Sequence, residues 1–327
     1  MLGSEDGFEG LIQPNRLVKL TPASVQGTLP KGGSILGCSN RANPFAYPTR
    51  GARNKEKLVD VSADVVRRLE DHAVDCLVLV GGDGTMAMGK RFLDLGVPVI
   101  GVPKTIDNDL AATELTFGFD TALGTATWAI DALHSTAEAH DRVMIVELMG
   151  RYAGWISLCA GIAGGADVIL IPEIPYDLRR VIHKIQDRLA AGRRFSIIVI
   201  GEGALPKGGR RSHITRAKRG HLPRLGGAGE RLARSLEGKI PCEIRTTVLG
   251  HLQRGGSPSA LDRLLGTRFG VMAARLCERG RTGDMVALRA QEIVTVPLEE
   301  AIGKPKLVPP DGELVATARA VGIEVGA

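Results

Sequence analysis

Aromatic residues are scarce in this 327-residue chain: two Trp, three Tyr and seven Phe make up 4% of it. With so few stacking side chains, and no helix-turn-helix or RNP-like pattern beside its net charge of +6, nucleic acid ranks low among its partners. Cysteine is sparse as well. Cys38, Cys76, Cys159, Cys242 and Cys277 form an odd set with no CxxC spacing, which argues against a disulfide frame and a zinc site, and their apolar neighbours make them core thiols. No apolar run is long enough to span a bilayer, and the first thirty residues mix Glu5, Asp6, Glu9, Arg16 and Lys19 among short apolar pairs. Neither a signal peptide nor a membrane anchor is expected, and the expected location is cytoplasmic. Repeats and low-complexity segments are missing too.

What is present is a hydrophobic content of 44%, enough for about two domains. Short apolar runs recur at 75–80, 97–102, 142–148, 167–172, 196–201, 246–250 and 285–288. They do not alternate, which is the pattern of strands buried on both faces of a parallel sheet. Between them, 56–70 and 177–191 space apolar residues by three and four, as amphipathic helices do. The fold class is therefore α/β. In such sheets ligands bind beyond the carboxyl ends of the strands, so the loops after the runs carry the chemistry.

The first of these loops is Gly81-Gly82-Asp83-Gly84-Thr85, ahead of a helix expected near 85–94. A glycine loop entering a helix offers backbone N–H groups and a positive helix end to phosphate. Asp83 would be repelled by phosphate itself, so its natural partner is a divalent metal that also holds phosphate oxygens. In the second loop, Pro103 to Asp109 (PKTIDND), a hydroxyl and two carboxylates stand at alternating positions and can share one side of an extended segment. One carboxylate can take a proton from an attacking hydroxyl while the other orients its neighbour or metal. Met149-Gly150-Arg151 follows the run at 142–148, which Arg142 opens, and Gly201-Glu202-Gly203 closes the run at 196–201; Glu202 and Arg151 offer one acceptor and one donor to a sugar phosphate. Arg245, His251 and Arg254 are expected around one further strand end, as three donors for a phosphate monoester. The basic stretch 206–224, with seven Lys or Arg and no acid, reads as a solvated surface loop, with phosphorylated metabolites as the sharper alternative.

GGDGT, PKTIDND, VELMGRYAG, GEG and LGHLQRGGSP, in this order, closely resemble the 6-phosphofructokinase family, from Asp6-Gly7 to about Leu288. The resemblance implies transfer of a terminal phosphoryl group to the 1-hydroxyl of fructose 6-phosphate with Mg2+. It implies two similar-sized three-layer domains with largely parallel sheets and the active site in the cleft between them. Residues 1–118 with 253–305 would bind the donor, and 119–252 with 306–327 the sugar phosphate. Asp107 would be the base; Thr105 and Asp109 would orient acceptor and metal, with Arg151 also in the catalytic set. Gly82, Asp83, Gly84, Thr85, Arg41 and Lys104 would hold the donor, with Asp83 on the metal. Met149, Gly150, Arg151, Glu202, His251 and Arg254 would hold the sugar phosphate. Arg142 and Arg245 would reach it from a neighbouring subunit of a homodimer or homotetramer.

On the donor, Gly84 leaves room for a nucleotide, whereas Lys104 occurs in pyrophosphate users of the family and in some ATP users. Gly84 weighs more, since a carboxylate in its place would exclude the α-phosphate by bulk and charge; ATP is expected and pyrophosphate is the alternative. The family opens with a strand and a GGDxxGxN loop that this sequence does not contain, so a chain with reduced stability and activity, or a noncatalytic sugar-phosphate-binding one, is the other alternative. Lipid and NAD kinases share GGDGT but not LGHLQRGGSP. Of the bacterial effector-pocket arginines Arg193 matches and His134 replaces another, so classical allosteric control is not expected.

Overall fold

All seven apolar runs form strands in the computed structural model, which describes residues 1–39, 41–50, 56–211 and 226–327. By contacts the chain divides into two units. Met1–Lys104, Leu110–Phe117 and Gly255–Lys304 make the first; Thr105–Asp109, Gly118–Arg254 and Pro305–Ala327 make the second. Thr105–Asp109, which a single boundary at 118 assigns to the first domain, clusters with the second.

The first unit opens with two antiparallel pairs, β1 (Leu2–Ser4) with β2 (Leu17–Lys19) and β3 (Tyr47–Arg50) with β4 (Glu56–Val59), and with the short helices α1 (Phe8–Ile12) and α2 (Pro22–Val25). The helix expected over 56–70 is thus divided. Residues Glu56–Val59 satisfy their backbone by pairing with β3, and helix α3 (Ser62–Asp71) starts only after Asp60, whose Oδ1 accepts from the Ser62 N–H at 2.9 Å. Then come β5 (Leu77–Gly81), α4 (Asp83–Asp94) and β6 (Val99–Pro103).

The second unit follows with α5 (Phe119–Ala139), β7 (Val143–Leu148), α6 (Trp155–Ala163), β8 (Val168–Leu170), α7 (Leu178–Ala190), β9 (Ser196–Gly201), α8 (Ala228–Leu236) and β10 (Ile244–Val248). Its four strands are all parallel, in the order β10-β7-β9-β8. Every residue of β7 and β9 is buried, as unbroken apolar runs in the middle of a sheet require. Val143, Ile145, Ile198 and Ile200 pack there against Val181 and Ile185 of α7 and Leu232 and Leu236 of α8.

After a 3₁₀ turn at Gly250–Arg254 the chain re-enters the first unit with α9 (Ala260–Glu278), β11 (Asp284–Arg289) and β12 (Glu292–Pro297), and it finishes in the second with α10 (Glu313–Ala320). The sheet of the first unit runs β12-β11-β6-β5, with β12 antiparallel and the rest parallel. Two expected strands are not buried on both faces. β5 and β10 lie at sheet edges, so Val78 and Val80 of β5 are exposed while Leu79 is buried, and no residue of β10 is fully buried. The cysteines also depart from expectation. Cys38 is exposed and the other four are half-buried, because Cys76, Cys242 and Cys277 sit at the ends of elements rather than inside them. Among the described residues no helix is long and apolar enough to cross a membrane.

Candidate active site

In the first unit, β5 delivers the GGDGT loop directly onto the first turn of α4. Asp83 is already helical, and Gly82 caps the helix without a side-chain hydrogen bond; the Thr85 and Met86 N–H groups donate to the Gly82 carbonyl, both at 3.0 Å, so it is the Asp83 and Gly84 N–H groups that are presented to whatever lies beyond. Gly81 must be glycine: a Cβ there would stand 2.3 Å from Thr85 Oγ1. Gly84 is in the opposite situation, exposed and with no atom within 4 Å of an added Cβ. The Lys104 N–H donates to the Gly81 carbonyl at 2.9 Å, which sets that exposed lysine beside the loop. Arg41 is exposed in a turn where Ser39 Oγ accepts from its N–H at 3.2 Å, and no described contact joins it to residues 81–85.

Among the described residues no three His, Cys, Asp or Glu side chains group to hold a metal. Asp83 is one exposed carboxylate at a helix N-terminus. Such a site fits magnesium, which keeps most of its waters and is held by one or two carboxylates together with substrate phosphates.

In the second unit, burial alternates along Thr105–Asp109, the loop expected to meet the acceptor and hereafter the acceptor loop. Ile106 and Asn108 are 5% and 4% exposed, while Thr105, Asp107 and Asp109 are half-buried between them. The hydroxyl and the two carboxylates therefore stand at the three less buried positions of the alternation, with Asp107 Oδ1 itself buried. Thr105 Oγ1 accepts from the Asp107 N–H at 3.2 Å, which curls the loop around its own hydroxyl.

A second cluster forms beyond the carboxyl ends of β7, β9 and β10. The Glu202 N–H donates to the Leu148 carbonyl at 2.9 Å and the Leu249 N–H to the Glu147 carbonyl at 3.1 Å, so three strand ends are tied side by side. Gly150 has φ +134°, and a Cβ on Gly203 would lie 2.1 Å from the Arg151 carbonyl oxygen; both glycines permit close loop packing. Burial pushes the Glu202 carboxyl up, and the charge of Glu147 adds to it, while Arg151, Arg254 and the Gly150 N–H act in the other direction. Met149 is buried under this cluster, and His251 and Arg254 are exposed on the 3₁₀ turn.

Arg245 does not join this cluster as expected. It lies near the amino end of β10, and Arg142 at the amino end of β7, at the far side of strands that rise about 3.3 Å per residue. Across the six residues of β7 that is roughly 20 Å. There one carboxylate holds both arginines: Glu243 accepts from Arg142 Nε at 2.5 Å and from Arg245.

Three further residues hold the site together without having been assigned a role from the sequence: Glu147 of VELMGRYAG, Arg211 of the basic stretch, and Lys306, which carries no motif. Glu147, 2% exposed, accepts from the Gly227 and Gly229 N–H groups at 3.0 and 2.8 Å and so anchors the start of α8. Arg211 donates to the Gly203 carbonyl at 3.2 Å and stands 5.0 Å over the Tyr152 ring; the rest of the basic stretch, 212–224, lies outside the described residues. Lys306 binds the acceptor loop. His134, in the place of an effector arginine, donates to the Gly164 carbonyl at 2.7 Å and is thereby engaged within its own unit.

The family profile described as "Phosphofructokinase" matches residues 1–277. The chain belongs to the phosphofructokinase family. It is 50% identical over 328 residues to the ATP-dependent 6-phosphofructokinase of Chloroflexus aurantiacus, covering 100% of this chain and 89% of that one. The ATP-dependent 6-phosphofructokinase 2 of Clostridium perfringens is also 50% identical, over 326 residues, covering 99% of this chain and 88% of its own length. Among solved structures, Pichia pastoris phosphofructokinase in the T-state superposes with a TM-score of 0.76 at 27% identity; it matches 92% of this chain, which spans about a third (34%) of that longer one.

Proposed function

We infer that the chain is an ATP-dependent 6-phosphofructokinase, which transfers the terminal phosphoryl group of ATP to the 1-hydroxyl of fructose 6-phosphate and yields fructose 1,6-bisphosphate and ADP. The observation that carries this is the identity, at one residue in two and over essentially the whole chain, with enzymes named for that reaction. The donor named by these relatives agrees with the open space at Gly84. Pyrophosphate as donor and a noncatalytic role are not favoured.

In this reading the GGDGT loop of the first unit receives the donor's phosphates on the N–H groups of α4, with Lys104 beside them. Magnesium, when bound with ATP through Asp83, neutralises phosphate oxygens. Asp107 accepts the proton of the 1-hydroxyl as that oxygen forms its bond to the γ-phosphorus and the bond to the β–γ bridging oxygen breaks, the electron pair leaving with ADP. Thr105 and Asp109 orient the acceptor; Glu202 accepts a sugar hydroxyl; Met149, Gly150 and Arg151 line the sugar; His251 and Arg254 hold its 6-phosphate. The separation of Arg142 and Arg245 from these groups along β7 and β10 supports their serving the site of a second copy, in a homodimer or homotetramer.

Coupled assays with ATP and with pyrophosphate, side by side, test the reading. Turnover with magnesium-ATP is expected, and Asp107→Asn should lower it by on the order of 10²–10⁴ with little change in sugar-phosphate binding. Turnover with pyrophosphate alone would overturn the donor, and full turnover of the variant would remove Asp107 from the base role.

A further inference from the structure

The acceptor loop has an unusual place in the chain: the backbone leaves the first unit at Lys104, spends Thr105–Asp109 in the second, and re-enters the first at Leu110. Something in the second unit must hold it. Lys306, distant by 198 positions from Asn108, does so twice. Its main-chain N–H donates to the Asp109 carbonyl at 2.7 Å, and its ammonium donates to Asn108 Oδ1 at 3.0 Å. Asn108 separates the two loop carboxylates, is 4% exposed, and has φ +51°, a left-handed conformation that a non-glycine residue holds only when its surroundings fix it. A buried amide oxygen also needs a donor, and the lysine supplies a charged one.

Lys306 is itself anchored. Its carbonyl accepts from Trp155 Nε1 at 2.8 Å, its ammonium lies 5.7 Å from the Trp155 ring, and two residues later the Val308 N–H donates to Glu173 Oε1 at 2.9 Å. The same Glu173 oxygen accepts from the Gly154 N–H at 2.9 Å, at the start of α6. The acceptor loop, curled on its own hydroxyl, is thereby also tied to a helix end.

We propose that Lys306 is a positioning residue for phosphoryl transfer: gripping Asn108 between Asp107 and Asp109, it fixes the base at the distance from the acceptor hydroxyl that proton transfer requires. This rests on the assignment of Asp107 as the base. No described bond joins the lysine to Arg254, His251 or Glu202, three of the groups expected to hold the sugar phosphate, so its loss acts on turnover and spares substrate affinity. Misplacing a reacting group by about 1 Å costs about a hundredfold in rate, which sets the scale.

The test uses the full chain with magnesium-ATP, varying fructose 6-phosphate. Lys306→Met is expected to lower kcat roughly 10- to 100-fold with KM for fructose 6-phosphate changed less than about threefold, and Lys306→Arg, which can donate the same bond, to restore most of it. Asn108→Gly removes the bond from its other side while tolerating the positive φ, and serves if Lys306→Met does not fold; it should show the same loss. The double variant should lose no more than either single one, as partners in one bond do. Asp107→Asn is run alongside. If it loses turnover while Lys306→Met and Asn108→Gly keep theirs, the positioning role is overturned and the base stands. If Asp107→Asn keeps turnover, the base assignment fails first. A rise in KM with kcat intact, or losses that add in the double variant, would also overturn the proposal.

Discussion

At Glu202, burial and the neighbouring charge of Glu147 oppose ionisation, and Arg151 and Arg254 favour it. The balance leaves the folded-state pKa above that of the unfolded chain. A carboxyl shifted this way costs nothing at pH below its unfolded pKa, and it weakens the fold fully once pH exceeds the folded one. Glu202→Gln is therefore expected to raise Tm at pH 7 to 8, with the gain fading as the pH falls towards 4, while KM for fructose 6-phosphate rises because the hydroxyl acceptor is weakened. Thermal melts across pH beside a coupled assay check both; a lower Tm at pH 8 would show that the arginines outweigh burial. Gly84 offers a cleaner substitution, since it is exposed and an added Cβ has no atom within 4 Å. Gly84→Asp should leave Tm unchanged and lower kcat/KM for ATP by on the order of 10²-fold or more, through a like charge set against phosphate, with pyrophosphate less affected. An unchanged ATP constant would place the nucleotide elsewhere.

Among the elements, the strands that deliver the site are legible because a buried parallel strand leaves an apolar run, and seven such runs became seven strands. β12 escaped notice because Glu292–Pro297 is a short polar-edged segment whose order comes from pairing with β11, and β4 was mistaken because two adjacent apolar residues, Leu58 and Val59, fit a helical spacing as well as a strand. The edge positions of β5 and β10 depend on which strands meet, which no local pattern states. The alternation in 105–109 was readable, whereas Lys306 carries no motif and acts across the whole second unit. Helix starts are readable at one residue. Ser259 caps α9 by accepting from the Asp262 N–H at 3.2 Å, and α9 sends Leu265, Phe269, Ala273 and Leu276 into the core. Ser259→Ala should cost about 1 kcal/mol, or roughly 2–4 °C in Tm, measured by thermal unfolding. A shift within error would mean that the helix start is held by packing alone.

For the whole molecule, Arg142 and Arg245 rest on Glu243 at the amino ends of their strands, and the proposal that they serve a second copy's site ties turnover to assembly. A chain carrying Arg142→Ala with Arg245→Ala and a chain carrying Asp107→Asn should each be nearly inactive alone. Mixed and reassociated at random as dimers, they should recover about a quarter of the wild-type turnover, since half the dimers are hybrids with one intact site each. No recovery would place both arginines in the service of their own chain.

The fastening of the acceptor loop by Lys306 also bears on biosynthesis. A ribosome that has made Asn108 must add 198 more residues before the lysine that grips it exists. At typical elongation rates that interval is roughly 10–40 s. Through it the growing chain can fold β5, β6 and the glycine loop, the proposed nucleotide surface, before Asp107, the proposed base, is set in place. If Lys306 positions Asp107 as proposed, translation order delays full phosphoryl-transfer rate until residue 306 has been made.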